Sequence, residues 1–193
     1  MGRNQMPVEY LKETPSQTAG PYVHIGTLPA HAGLQIRQNE ALNVIEAAGE
    51  KIIIDGVVID GNGAPVKDAM LEIWQADSQG RVGDFGLWGR AGAEFNSGEY
   101  SFHTVRPGAM EWRNGRMQAP HVTLLVFARG INIHLHTRMY FPEDTAAQAS
   151  DPAMNRIEDA QRRKTLIAQK VRDGHYRFVI RLQGEGETVF FDM

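Results

Sequence analysis

The stretch Ala119–Phe141, APHVTLLVFARGINIHLHTRMYF, constrains the fold more than any other part of this chain. Two apolar runs rich in branched residues flank an Arg-Gly-Ile-Asn turn, the pattern of two consecutive β-strands. The same run carries His121, His134 and His136 together with Arg129 and Arg138. His134 and His136 are two apart, so on a strand both side chains leave from one face. That is a ligand geometry for a metal.

The rest of the chain continues the strand pattern. Lys51–Asp60 (KIIIDGVVID) runs into Gly61-Asn62-Gly63, a strong turn signal. Ala69–Gln75 alternates apolar and polar residues as a half-buried strand does. Glu99–Val105, His121–Ala128, Asn132–Phe141, Tyr176–Leu182 and Thr188–Phe191 complete the series. Residues 38–48 suit a short helix. A clearer one starts at Asp151 as N-cap with Pro152 at the first helical position, and runs toward Lys170. Short strands between Gly/Asn turns, with little helix, predict an all-β sandwich. Residues 1–35 are rich in Pro, Gly and Thr. Pro15 and Pro21 push their preceding residues out of the helical region, which predicts an extended arm.

Bulk properties narrow the function. A chain of 193 residues is most simply one domain, 1–193, large enough for a full core. Apolar residues make up 42% and charged residues 22%, the balance of a water-soluble globular protein. The net charge of −3 argues against nucleic-acid binding, which wants a basic patch. Cysteine is absent, so disulfides, thiolate catalysis and cysteine-ligated metals are excluded. No stretch has the apolar length of a signal sequence or a membrane span. Met1-Gly2 is a weak myristoylation signal, outweighed by a cytoplasmic reading.

Several residues are candidates for chemistry, each with a plainer alternative. His134 and His136, with His121 or Glu143, could ligate a metal; half-buried strand histidines are more often structural or interface residues. Arg129, beside Gly130 at a strand end, can aim its planar fork at a carboxylate, or simply be solvated. Thr18, Ala19, Gly20, Pro21 and Tyr22 form a small-residue backbone suited to a flat ligand or a partner, or to docking on the chain's own core. Gly184–Glu187 (GEGE) would repel a phosphate and reads as a turn. Ser97 and Ser101 lack a nucleophile-elbow context, and no carboxylate pair suggests a glycosidase.

Taken together, TPSQTAGPY, DGNG, LEIWQAD, HTVRPG, APH and FARGINIHLHTRMYF resemble the intradiol ring-cleaving dioxygenases, from about Pro7 to the final VFFD. The resemblance implies a β-sandwich fold and opening of catechols by dioxygen at a non-haem Fe(III). It also implies that two tyrosines and two histidines hold the iron, hard phenolate oxygens suiting Fe(III). Position by position, the first tyrosine, after Gly-Arg, falls on Val82. The second, after Pro-Gly, falls on Met110. The two histidines fall on His121 and Thr123, and a nearby arginine falls on Gln118. Three of the four ligand positions therefore hold residues unsuited to ferric iron.

By the same resemblance, the chain is expected to be the metal-free α-type subunit of a hetero-oligomer. An iron-bearing β subunit of similar fold would be its partner, in a higher-order α–β assembly with a small aromatic acid and O2 as substrates. Thr18, Gly20, Pro21 and Tyr22 would lie near the partner's iron, and Arg129 would face the substrate carboxylate. Two rival readings stand beside it. One is a self-sufficient metalloenzyme built on His121, His134 and His136. The other is a non-enzymatic β-sandwich that binds aromatic or carbohydrate ligands.

Overall fold

The computed structural model describes residues 18–20, 22–34 and 41–192. Strand β1 (Lys51–Ile59) organises the first sheet. Its residues alternate buried and half-exposed, as the isoleucine and valine spacing requires. Strands β2 (Met70–Gln75), β3 (Leu87–Gly92) and β4 (Glu99–Val105) follow. A small ribbon, β5 (Met110–Glu111) with β6 (Met117–Gln118), precedes β7 (His121–Phe127) and β8 (Leu135–Tyr140). The last strands are β9 (Gln169–Arg172), β10 (His175–Arg177) and β11 (Ile180–Arg181).

In the first sheet, β4 runs antiparallel to β1, while β10 and β11 run parallel to it and β9 pairs with β10. The second sheet is antiparallel throughout, in the order β3-β2-β7-β8. Ile52, Ile54, Val58, Tyr100 and Phe102 of the first sheet share a core with Leu71, Ile73, Val122, Leu124, Val126 and Met139 of the second. Each of those side chains contributes about 1.5–3 kcal/mol through removal from water. The expected β-sandwich is therefore present.

The strand expected over 176–182 is broken after Arg177, with a physical cause. The Phe178 carbonyl leaves the ladder and accepts from the buried Tyr100 hydroxyl at 2.6 Å. It sits where a Cβ on Gly56 would come within 1.9 Å, so β1 needs glycine at that point. Thr188–Phe191, expected as a strand, instead crosses from one sheet to the other: the Thr188 amide donates to Arg181 and the Phe191 amide to His136. Asn132–Phe141 shortens to Leu135–Tyr140, leaving His134 in the turn before β8.

The helix expected from Asp151 to Lys170 also dissolves. The chain has α1 (Tyr22–Thr27), α2 (Thr145–Ser150) and α3 (Ala160–Lys164), three short helices among the described residues rather than one or two. Asp151 ends α2, and its carboxylate caps a single 3-10 turn by accepting from the Ala153 and Met154 amides. Extended backbone at Ile157 and Asp159 then breaks the helix, and Asp159 caps α3 through the Gln161 amide. Within the helix expected at 38–48, residues 41–48 are not helical. Leu42 and Asn43 carbonyls accept from the Arg90 and His103 amides, so this segment satisfies strand edges. In the arm expected to be extended, Tyr22–Thr27 is helical, with buried His24 as its anchor.

Candidate functional site

Sheet register builds the site. Across the outer face of the second sheet, Trp88 pairs with Trp74, Trp74 with Thr123, and Thr123 with Arg138. Cross-strand partners share a face, so these four side chains form one row. The next row runs Arg90, Glu72, Leu125, His136, and His121 pairs with Tyr140 beyond. The β5–β6 ribbon and the C-terminal segment wall this face, leaving a cavity of about 590 Å³ lined by Met110, Gln118, His121, Thr123, His136 and Arg138 among others.

The four positions aligned with iron ligands divide accordingly. Met110, His121 and Thr123 converge on the cavity, whereas Val82 stands exposed in the turn between β2 and β3. A ferric ion does not fit this donor set. Valine offers no donor, a thioether is too soft, and an un-ionised threonine hydroxyl carries no charge, leaving one imidazole. His134 and His136 both line the cavity, but His134 sits in the turn with its ring tilted against that of Phe127, centroids 5.5 Å apart. His136 lies buried on β8 with neither ring nitrogen hydrogen-bonded among the described residues.

His121 Nδ1 lies 2.8 Å from the Ala119 carbonyl, which only accepts, so that nitrogen carries the proton. Burial, reinforced by the Arg138 charge, pushes the His121 imidazole down to about 4. Burial, then Arg138 and then His134, lowers His136 to about 4 as well. Both rings protonate near 6.5 when unfolded, so between 6.5 and 4 the unfolded chain holds more protons and stability falls with falling pH. Between pH 6.5 and 5, above the carboxylate range, the urea midpoint is expected to drop steadily. A His121→Gln/His136→Gln double variant should flatten that slope; an unchanged slope would contradict the assignment.

Arg138 went unrecognised in the sequence as a site residue. The residue is 9% exposed; its guanidinium donates from Nη1 to Gln118 Oε1 at 2.8 Å and lies near the Trp112 and Phe191 rings, 5.4 and 5.8 Å from their centroids. A guanidinium from β8 thus lies against Gln118, the position aligned with the family's arginine. The signal was there: 134, 136, 138 and 140 alternate onto one face. Asp151 was read as a helix cap, yet it also accepts from the Ala119 amide and the Tyr140 hydroxyl, pinning the approach to β7.

The N-terminal candidates gather elsewhere. Thr18 Oγ1 accepts from the Gly130 amide at 2.7 Å, which brings Thr18 onto the turn that presents Arg129. Arg129 projects into solvent, 78% exposed, with Asp68 3.4 Å from its Nε. Gly20 and Tyr22 are exposed, and Pro21 lies outside the described residues.

A two-sheet all-β fold with this cavity on its outer face defines the class. The chain belongs to the intradiol dioxygenase family: the family model described as "Dioxygenase" matches residues 20–184. Among its relatives, the protocatechuate 3,4-dioxygenase alpha chain of Pseudomonas putida is 51% identical over 200 residues, 97% of this chain and 100% of that one. The beta chain of the Burkholderia cepacia enzyme is 31% identical over 74% of this chain and 68% of its own length. Catechol 1,2-dioxygenase from Pseudomonas arvilla C-1 shares the fold at TM-score 0.56 and 22% identity, over 72% of this chain and 54% of that one, so this chain spans about half that enzyme's length.

Proposed function

We propose that this chain is the α subunit of a protocatechuate 3,4-dioxygenase. In this reading it is a single domain working in the cytoplasm with an iron-bearing β subunit, within a larger α–β assembly. The product from protocatechuate and O2 is 3-carboxy-cis,cis-muconate. The observation that carries the reading is the end-to-end 51% identity to an alpha chain, in a chain whose own donor set does not suit iron. The kinship with a beta chain supports a heteromer of two like folds. The rival metalloenzyme on His121, His134 and His136 lacks the anionic oxygen donors that Fe(III) favours.

What ferric iron supplies when bound, polarisation of a catecholate toward dioxygen, falls in this reading to the partner subunit. This chain's part is to bind and orient. Arg129, presented by a turn that Thr18 holds, offers two parallel N–H donors to the substrate carboxylate across the interface. Thr18 and Gly20 add small groups along the same edge and Tyr22 an exposed ring, which together admit a flat ring.

Arg129→Ala in the assembled enzyme is expected to raise KM for protocatechuate about ten-fold or more, the loss of one charge-assisted pair. KM for catechol, which has no carboxylate, should hardly move. Equal changes for both substrates would remove Arg129 from the pocket.

A further inference from the structure

The cavity that does not suit iron still gathers a cation, imidazoles and apolar rings. Its floor is the row Trp88, Trp74, Thr123, Arg138, placed by strand register. Its cation, Arg138, is nine-tenths buried, and its hydrogen bonds among the described residues go to Gln118 and the Tyr140 hydroxyl, neither of them a carboxylate. A buried guanidinium without an anionic partner is costly, and an incoming anion relieves that cost. Glu72, the acid in the adjoining row, is already neutralised by Arg90, and Asp192 sits exposed at the rim.

Two further polar groups are unclaimed. His136 is buried against the cavity with both ring nitrogens unpartnered among the described residues. His121, with its proton committed to the Ala119 carbonyl, keeps Nε2 as an acceptor. Buried polar atoms without partners are uncommon and call for a missing one. Beside them stand Trp74, Trp88, Leu125, Ile133 and Phe191, apolar walls fit for a flat ring.

We infer that this cavity is a metal-independent binding site for a small aromatic carboxylate bearing a ring hydroxyl. The carboxylate meets Arg138, the ring lies flat on the β7–β8 part of the floor beside Thr123, and the hydroxyl donates to an imidazole nitrogen of His136 or His121. His136, two residues along β8 from Arg138, and His121, diagonal to Arg138 on β7, stand about 7–8 Å from it, which a hydroxybenzoate spans. The site is separate from the Arg129 edge and is independent of the role proposed for it.

The test is calorimetric titration of 4-hydroxybenzoate into the full chain purified with its partner subunit. Arg138→Met is expected to weaken one class of sites, one per copy of this chain, at least about ten-fold. Thr123→Trp, which fills the floor beside Arg138 and leaves its charge in place, should abolish the same class. The uncharged 4-hydroxybenzamide should fail to bind there. Arg129→Ala should leave this class intact, so failure of the Arg129 reading and failure of this one are told apart. Should Arg138→Met not fold, Thr123→Trp decides alone. Wild-type titration behaviour in folded Thr123→Trp, or equal binding of the benzamide, would overturn the inference.

Discussion

Purified by itself, this chain is expected to carry no stoichiometric iron, to be colourless, and to show no oxygen uptake with protocatechuate. Co-expressed with its β subunit, the pair should bind one iron per α–β unit and consume oxygen when protocatechuate is added. The contrast is all-or-none because the donor set at the aligned positions is Val82, Met110, His121 and Thr123. One imidazole cannot hold Fe(III) without anionic oxygen donors. Metal analysis and an oxygen electrode read the result. Bound iron with turnover in the isolated chain would mean that His121, His134 and His136 form a centre after all.

The second large effect concerns Asp151. Its fully buried carboxylate accepts from the amides of Ala119, Ala153 and Met154, at 2.8–2.9 Å, and from the Tyr140 hydroxyl at 3.2 Å. Asp151→Ala strands these donors in a region packed with Tyr140, Met154, Leu166 and Val189. Loss of about 3–5 kcal/mol is expected, since each orphaned buried donor costs about 1–3 kcal/mol and the surroundings relax in part. For a chain of this size that lowers Tm by on the order of 10 °C. Asp159→Ala, which removes the exposed cap of α3, should cost only about 1 kcal/mol. Similar losses in the two variants would show that the Asp151 network is not what ties the start of β7 to the loop after α2.

Where the apolar period was two and both faces were sorted, the strands were legible. Lys51–Ile59, Met70–Gln75 and Glu99–Val105 lie where alternation put them. The C-terminal third was not, because its residues satisfy backbone groups singly. Phe178 turns its carbonyl to Tyr100, and Phe191 bonds once to His136, so no local pattern records a ladder. Asp151-Pro152 had the local chemistry of a helix start, and a 3-10 turn does follow. Extended backbone at Ile157 and Asp159 ended it, while the Asp151 carboxylate also holds Ala119 and Tyr140, distant in the chain.

The site divides the same way. Side-chain chemistry alone determined that this chain lacks a ferric donor set, because no folding turns valine or methionine into a phenolate. The family, the β-sandwich and the candidacy of Arg129 and Thr18 were likewise readable from motifs in order. Only the tertiary structure decided that the Arg138 guanidinium lies against Gln118, and that Trp74, Thr123 and His136 share its face. Those relations depend on inter-strand register, which is set by the packing of both sheets at once. A one-residue slip would send each of these side chains to the opposite face.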